Sequence, residues 1–299
     1  MRVLVTGSSG LIGSEAVTFF DNLGFDISGV DNNMRADFFG PKGDTSSNRA
    51  RLQTQCKRFT HYEQDIRDRT GVEELFQKIN PELIIHAAAQ PSDLAANRPF
   101  DDFDVNAVGT LNLLEATRRQ CPEAVFIHVS TNKVYGDAPN FLPLVEKETR
   151  WDYADKNDEH GISERMSIDQ CKHSLFGASK AAGDILAQEY GKYDGIELKT
   201  GIFRGVINAF WQVAQNPRPG EVYNLGGGEA NAASLLECVS MIEERTGKKP
   251  KLTYSDTNRI GDHICYYSDL RKLKEHYPGW DLSYSLDKIV DEMIEVVSN

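Results

Sequence analysis

The chain has 299 residues, the length of one large domain or two modest ones. Its 33 Lys and Arg against 45 Asp and Glu give a net charge of −12, which argues against a nucleic-acid-binding surface. No apolar run reaches the roughly 18 residues of a membrane span and no signal-peptide pattern opens the chain, so we expect no membrane segment. Five scattered cysteines without a C-x-x-C pair favour a reducing cytoplasm and predict neither disulfides nor a metal site.

The first 130 residues alternate strand and helix patterns. Strands are predicted at 2–6, 26–31, 61–65, 83–88 and 124–129, and helices at 11–23, 71–79 and 103–119. Strands that are apolar on both faces and separated by helices indicate a parallel sheet covered on both sides. The predicted fold class is therefore α/β, with a Rossmann-type doubly wound parallel sheet.

Two polar linkers at 32–58 and 138–166 interrupt this alternation, and long loops in a compact domain tend to be functional. The first linker is predicted to hold a short helix at 46–55. After the second linker the patterns predict helices at 168–193, 206–215, 235–245 and 286–297, and strands at 198–203, 222–225 and 252–254. We divide the chain into a Rossmann domain at 1–200 and a smaller mixed C-terminal substrate region at 201–299.

A G-x-x-G-x-x-G pattern at Gly7, Gly10 and Gly13 follows the first strand and opens the first helix. Glycine permits a tight turn and close backbone approach to a pyrophosphate, and the helix N-terminus favours an anion. Asp31 ends the second strand, where a carboxylate accepts the ribose hydroxyls of NAD and repels the 2′-phosphate of NADP. We predict NAD as the cofactor, with further contacts from Leu11, Ile12, Asn32, Asp65, Ile66, Ala87, Ala88, Ala89, Asn106 and Lys180.

The sequence resembles the extended short-chain dehydrogenases/reductases that act as NAD-dependent nucleotide-sugar epimerases. The resemblance rests on TGSSGLIG at 6–13, HAAA at 86–89, the N-x-x-G-T-x-N-L-L-E-A run at 106–116 and STNKVYG at 130–136. With NRIGDH at 258–263, it is nearest to the CDP-tyvelose (CDP-paratose) 2-epimerase branch. The resemblance implies transient oxidation and re-reduction of the sugar, with a UDP-sugar 4-epimerase as the alternative.

By its position in the motif, Thr131 corresponds to the family's hydroxyl beside the reacting oxygen, and Lys180 to its lysine. Phe176 stands at the position of the family's catalytic tyrosine, and phenylalanine transfers no proton. Three interpretations stay open: an engineered substrate trap, a natural protein with another base, or a protein that binds ligand without catalysis. Lys133 and His173 are the candidate replacement bases.

Related sugar-nucleotide dehydratases place Asp-Glu directly after the threonine, whereas this chain has Asn132-Lys133. The missing carboxylates argue against a 4,6-dehydratase. The resemblance and the loop positions assign a substrate-binding role to eight residues: Gln90, Ser92, Thr131, Asn132, Arg204, Asn224, Arg259 and Asp262.

Between Arg204 and Gly205 the family carries a further segment on the order of 50 residues, more than one βαβ unit of ~30. Either the protein lacks this segment or the printed sequence omits it. We expect omission, because loss of a covering segment would open the site to water. The expected partner is a CDP- or UDP-sugar, and the resemblance implies a homodimer or homotetramer formed through the helices near 103–119 and 168–193.

Overall fold

The computed structural model describes residues 1–90, 95–193, 198–204, 209–254 and 262–298. The chain forms two compact units, unit 1 from residues 1–134 and 173–223, and unit 2 from residues 135–172 and 224–299. The division at residue 200 expected from the sequence is a single cut, whereas the chain passes between these units more than once.

Unit 1 is built on a seven-stranded sheet in the order β3-β2-β1-β4-β5-β8-β9. The strands of the described chain are β1 (Arg2–Thr6), β2 (Asp26–Val30), β3 (Phe59–Tyr62), β4 (Leu83–His86), β5 (Val125–Val129), β6 (Leu144–Glu146), β7 (Trp151–Tyr153), β8 (Lys199–Arg204) and β9 (Glu221–Asn224). The pairings from β3 through β8 are parallel. The strand order reverses between β1 and β4, which is where doubly wound sheets bind ligands. The predicted Rossmann-type fold is confirmed.

The described chain also contains eleven α-helices. They are α1 (Leu11–Asn22), α2 (Met34–Phe39), α3 (Ser46–Gln55), α4 (Arg69–Ile79), α5 (Pro99–Phe103), α6 (Gly109–Gln120), α7 (Leu175–Lys192), α8 (Phe210–Gln215), α9 (Leu235–Thr246), α10 (Arg271–His276) and α11 (Leu286–Ser298). No helix in the described ranges has the length and apolarity needed to cross a membrane.

The strands at the centre of the sheet are buried on both faces. Every residue of β4 and β5 is buried, and Leu4, Ile84 and Phe126 belong to one core cluster with residues of the covering helices. Side chains of a strand alternate between faces, so a strand buried throughout needs a layer on each side. This burial fixes the carboxyl ends of β1, β4 and β5 at one edge.

Several predicted elements differ from the structure, among them the strand predicted at 61–65, which forms at Phe59–Tyr62. The helix predicted at 103–119 is interrupted by a π-helical turn at Asp104–Val108, between α5 and α6. The helix predicted from residue 168 begins at Leu175, because the Ser174 side chain accepts from the Gly177 amide and caps it. Residues 252–254 form no strand, and Tyr254 is exposed.

Unit 2 contains the antiparallel pair β6–β7 and the three helices α9, α10 and α11, of which α9 and α11 pack together. A capping box fixes the start of α9, since Ser234 and Glu237 each accept from the other's backbone amide. Tyr267 Oη donates to Asp152 over 2.9 Å and joins β7 to the segment after residue 262.

Candidate active site

A cavity of about 320 Å³ lies in unit 1, at the carboxyl ends of β1, β2 and β4. Its walls come from the glycine loop, the end of β2, the segment after β3 and the segment after β4. Twelve of the predicted cofactor residues line it: Gly7, Gly10, Leu11, Ile12, Gly13, Asp31, Asn32, Asp65, Ile66, Ala87, Ala88 and Ala89. This is the edge at which the strand order reverses.

The glycine loop has no room for side chains. A Cβ on Gly7 would lie 2.8 Å from the Ala88 backbone, and Gly7 has a φ of +67°. A Cβ on Gly13 would lie 2.0 Å from the Gly7 carbonyl oxygen. The backbones of the loop and of the segment after β4 therefore approach each other directly, which leaves the space before α1 open to a diphosphate.

Asp31 holds the loop at the end of β2. Its two carboxylate oxygens accept from the backbone amides of Ser9, over 3.0 Å, and of Asn33, over 2.8 Å. The carboxylate therefore stands on the cavity wall with its position fixed by two neighbours, at the place where a ribose would lie in a Rossmann site.

Asp65 is a second carboxylate on the cavity wall. Burial favours its neutral form, but hydrogen bonds and charge attraction from Arg67 outweigh burial and lower the pKa of Asp65. Arg67 also pairs with Asp101, over 3.1 Å. Asp65 therefore stays ionised and already has a cationic partner.

Asn106 does not line the cavity but connects it to α7. Its Oδ1 accepts from the Gln90 amide over 2.9 Å, and its Nδ2 lies within hydrogen-bonding distance of Asp102, at 3.2 Å, and of Ser179 Oγ, at 3.0 Å. Asn106 belongs to the π-helical turn, an element frequent at functional sites. Gln90 lines the cavity, so Asn106 is one residue away from it.

Lys180 is almost completely buried beside the end of β5. Its Nζ donates to the Val129 carbonyl over 2.9 Å. Burial lowers its pKa to about 8, although Asp184 and Asp102 oppose the shift. Residues of β4 and β5 pair in register up to His86 and His128, so the end of β5 adjoins the segment after β4 that lines the cavity.

Thr131 follows β5 directly and is partly exposed. Its Oγ1 lies 3.3 Å from Asn132 Oδ1 and accepts from the Lys133 amide over 3.3 Å. The structure thus keeps Thr131, Asn132 and Lys133 in one turn at the end of a buried strand. Neither side chain after the threonine is a carboxylate.

Phe176 lies in the first turn of α7, one turn before Lys180 on the same helix. Its neighbour Gly177 packs so closely on the turn after β5 that an added Cβ would lie 2.7 Å from the Lys133 carbonyl oxygen. This contact brings the start of α7 against Lys133. The phenyl ring is partly exposed and carries no group that exchanges a proton.

His173, the other candidate base, has a defined contact. Its Nε2 lies 2.8 Å from the Val134 carbonyl oxygen. Because a carbonyl only accepts, this nitrogen carries the proton and donates. This hydrogen bond holds the Nε2 proton on a backbone carbonyl, which argues against His173 as the base.

The remaining predicted substrate residues divide into three groups. Gln90 lines the cofactor cavity, and its buried Nε2 has no hydrogen-bond partner among the described residues. Asn224 and Asp262 belong to unit 2, where Asn224 is fully buried and accepts from Tyr135 Oη over 2.8 Å. Ser92 and Arg259 lie outside the described residues, as does the side chain of Arg204, which ends β8.

Sequence reasoning missed part of the cavity wall, which the following side chains also form: Val30, Met34, Phe38, Thr45, Gln64 and Val105. Three of these belong to the linker at 32–58, where α2 precedes the predicted helix at 46–55. The apolar Met34 and Phe38, four positions apart, were the available signal for a short helix with one face on the cavity.

The cavity fits a dinucleotide on three observations. Glycine backbones leave room for a diphosphate, Asp31 is held at the ribose position, and Gln90 presents an unpaired buried amide. Together with the strand order, these features define a Rossmann-type dinucleotide-binding protein.

Comparison with known proteins gives the family. The NAD dependent epimerase/dehydratase family matches residues 3–207, so the chain belongs to this family, and NAD is its cofactor. The resemblance inferred from the motifs is confirmed at this level.

Individual relatives cover 96–100% of the chain at low identity. The chain is 28% identical to the CDP-paratose 2-epimerase of Salmonella typhi, with 100% of both chains aligned. It is 26% identical to a dTDP-glucose 4,6-dehydratase of Haemophilus influenzae, over 96% of this chain and 90% of the relative. A UDP-glucose 4-epimerase structure from Thermotoga maritima, with UDP-glucose, superimposes with a TM-score of 0.74 at 22% identity, over 99% and 100% of the two chains.

Proposed function

We propose that the chain is an NAD-dependent nucleotide-sugar epimerase of the CDP-paratose/CDP-tyvelose 2-epimerase type. Support comes from the motifs at 130–136 and 258–263 and from the full-length similarity to a CDP-paratose 2-epimerase. NAD, when bound, accepts a hydride from the sugar carbon and returns it. The protein's task is to hold both molecules and to move the hydroxyl proton.

The observation that carries the proposal is the placement of Thr131 and buried Lys180 at the end of β5, next to the strand whose following segment lines the cofactor cavity. A hydroxyl and a lysine at this edge can orient a sugar hydroxyl and the nicotinamide ribose. Because Lys180 is buried, its charge acts in a medium of low effective dielectric constant.

The residues after Thr131 favour epimerisation over dehydration. Elimination of water needs an acid and a base at the sugar, and the dehydratase pattern supplies Asp-Glu there. Asn132 and Lys133 supply an amide and an amine instead. The similarity to dTDP-glucose 4,6-dehydratases therefore reflects the shared fold and cofactor.

Lys133 is the proposed base in place of the missing tyrosine. Its backbone contacts Gly177, the residue after Phe176, so the lysine is anchored beside the vacant proton-acceptor position. His173 donates from Nε2 to a carbonyl and is a weaker candidate.

The substrate is proposed to lie against Gln90, Ser92, Thr131, Asn132, Arg204, Asn224, Arg259 and Asp262, with an arginine on the diphosphate. The nucleotide is CDP or UDP. A homodimer or homotetramer through the helices that contain residues 109–120 and 175–192 is proposed from the family resemblance. We also propose that the protein carries the segment that its relatives have between the positions of Arg204 and Gly205. Residues 205–208 lie outside the described chain.

The test is to incubate the protein with CDP-paratose and, separately, with CDP-tyvelose, and to follow both by proton NMR. We expect the same epimer mixture from each side. UDP-glucose and dTDP-glucose serve as matched substrates, reporting 4-epimerisation and 4,6-dehydration. Conversion of UDP-glucose alone would replace the proposal with a UDP-sugar 4-epimerase.

Phe176 favours a second candidate, a protein that binds NAD and a nucleotide sugar without turning it over. Phenylalanine removes the family's proton-transfer group while leaving the fold of α7 intact. The same incubation separates the two functions: no conversion of any nucleotide sugar by NAD-loaded protein would support the binding protein and contradict the epimerase.

A further inference from the structure

One buried carboxylate beside Lys180 has no part in the function described so far. Asp184 lies one turn after Lys180 on α7, and its exposed fraction is 1%. Its Oδ2 accepts from Ser130 Oγ over 2.6 Å and its Oδ1 accepts from Gln188 Nε2 over 2.8 Å. Both oxygens therefore accept from a side-chain donor, as buried polar atoms require.

The contacts of Lys180 and Asp184 fall on adjacent residues of the same strand end. Lys180 donates to the Val129 carbonyl, and Asp184 accepts from the hydroxyl of Ser130, the next residue. Two side chains one helical turn apart thus hold the segment that leads into Thr131. The Ser130 amide also donates to the Phe203 carbonyl over 2.6 Å, so β8 fixes the other side of this segment.

We propose that Asp184 is a positioning residue for the reaction, which keeps the buried Lys180 charged and ties Ser130 to α7 so that Thr131 is held toward the substrate. This role rests on the proposed function as far as Thr131 is concerned. The effect on Lys180 is a property of the protein with or without turnover.

Other titratable groups lie on the elements around Lys180 and enter the test. They are Asp101 and Asp102 on α5, Asp104 on the π-helical turn, Glu115, Arg118 and Arg119 on α6, Lys199 on β8, and the imidazoles of His86 on β4 and His128 on β5. Asp102 is the second carboxylate that favours the charged lysine, after Asp184. The pKa of His86 is held well below its usual range by burial and by the charges of His128 and Lys180, so this ring is neutral.

The first arm measures the charge of Lys180 directly. Protein labelled with ¹³C at lysine Cε is titrated by NMR without substrate, and the Lys180 signal is assigned with Lys180→Arg. Asp184→Asn keeps the size of the side chain and an acceptor for Ser130 while removing its charge. We expect its Lys180 titration midpoint to fall by about one unit or more, since a nearby opposite charge shifts a pKa by about 1–3 units.

Asp102→Asn is the matched variant, because it removes the other buried carboxylate near Lys180. We expect a smaller fall of the midpoint than in Asp184→Asn. A midpoint that is unchanged in Asp184→Asn, or that falls more in Asp102→Asn, would overturn the assignment to Asp184.

The second arm tests the tie to Ser130 and does not depend on Asp184→Asn folding. Ser130→Ala removes the donor and keeps the carboxylate, and Thr117→Val removes a buried hydroxyl that bonds within α6. We expect kcat to fall about tenfold in Ser130→Ala, with the affinity for NAD unchanged and Thr117→Val like wild type. A wild-type kcat in Ser130→Ala would overturn the claim that the Ser130–Asp184 hydrogen bond positions Thr131. Absence of turnover in wild type would contradict the proposed function and leave the NMR arm decisive for Asp184.

Discussion

Asn106 Nδ2 donates to Ser179 Oγ over 3.0 Å, and this bond joins the π-helical turn to the residue before Lys180. The Oδ1 atom of the same side chain accepts from the amide of Gln90, on the cofactor cavity wall. Ser179 in turn donates to Asp102. One buried amide thus links the position of the cavity wall to the position of α7.

Replacing Asn106 with Ala should therefore remove the hydrogen bonds that hold the cavity wall at Gln90 and the start of α7 at Ser179. The Gln90 amide and the Ser179 and Asp102 side chains lose a buried partner, and each unsatisfied group costs about 1–3 kcal/mol. We expect the free energy of unfolding to fall by about 2–3 kcal/mol or more and the affinity for NAD by at least about tenfold. Urea unfolding and calorimetric titration with NAD measure both, with Thr117→Val as the buried polar control. Wild-type NAD affinity in a folded Asn106→Ala protein would contradict the linkage.

The glycine loop gives a steric prediction. In Gly13→Ala the new Cβ would lie 2.0 Å from the Gly7 carbonyl oxygen, so the loop must move away from the diphosphate position. We expect the affinity for NAD to fall by about tenfold or more, since the backbone approach to the diphosphate is lost. Gly279→Ala is the control, because nothing lies within 4 Å of its Cβ. Equal NAD affinity of the two variants would mean that the loop does not hold the diphosphate.

The carboxylate of Asp31 should decide between NAD and NADP. Asp31→Asn keeps an acceptor for a loop amide but removes the charge that repels a 2′-phosphate. We expect the ratio of dissociation constants, NADP over NAD, to fall at least about tenfold. Asp37→Asn removes an exposed carboxylate of α2 that does not line the cavity, and should leave the ratio as in wild type. An unchanged ratio in Asp31→Asn would place the ribose elsewhere.

Lys133 and Phe176 together test the identity of the base. Lys133→Ala should lower kcat by about 10²-fold or more, the range of a lost general base. Adding Phe176→Tyr to this variant should restore kcat to at least about a tenth of the wild-type value, because tyrosine returns the proton-transfer group of the family. Lys57→Ala, an exposed lysine after α3, is the control. If Lys133→Ala keeps full activity, the base lies elsewhere.

Burial of Lys180 makes stability depend on pH. Its pKa is about 8 in the folded protein and 10.5 as the ordinary value. Between these pH values the unfolded chain binds more protons, so stability rises with pH. Relative to Lys180→Met, NAD-free wild type should gain about 3 kcal/mol from pH 7.5 to pH 10.5. Urea unfolding across this range measures the difference. If the stabilities of wild type and Lys180→Met change with pH in the same way, burial does not lower the pKa of Lys180.

Much of the fold was predictable because its signals are local. The apolar runs of β4 and β5, the glycines before α1 and Asp31 after β2 each carry their meaning within a few residues. The glycines and Asp31 line the cavity, together with the alanines that follow β4, so most of its wall followed from the sequence. The sheet order then follows from the known winding of such sheets.

The parts that were missed depend on contacts distant in sequence. The π-helical turn around Asn106 continues a regular helical pattern, and its partners Gln90 and Ser179 lie on other segments. Ser174 ends an apparently helical stretch because its side chain caps α7. The division into units was also not predicted from the sequence, because residues 135–172 join unit 2 through contacts with residues after 223.

The most direct test of the central claim uses CDP-paratose that carries deuterium on C2. If the chain epimerises this carbon by oxidation and re-reduction within one site, CDP-tyvelose forms in ordinary water with the deuterium still on C2. Loss of the deuterium to water during conversion would contradict that chemistry. No conversion by protein with full NAD content would contradict the epimerase itself and favour the binding protein.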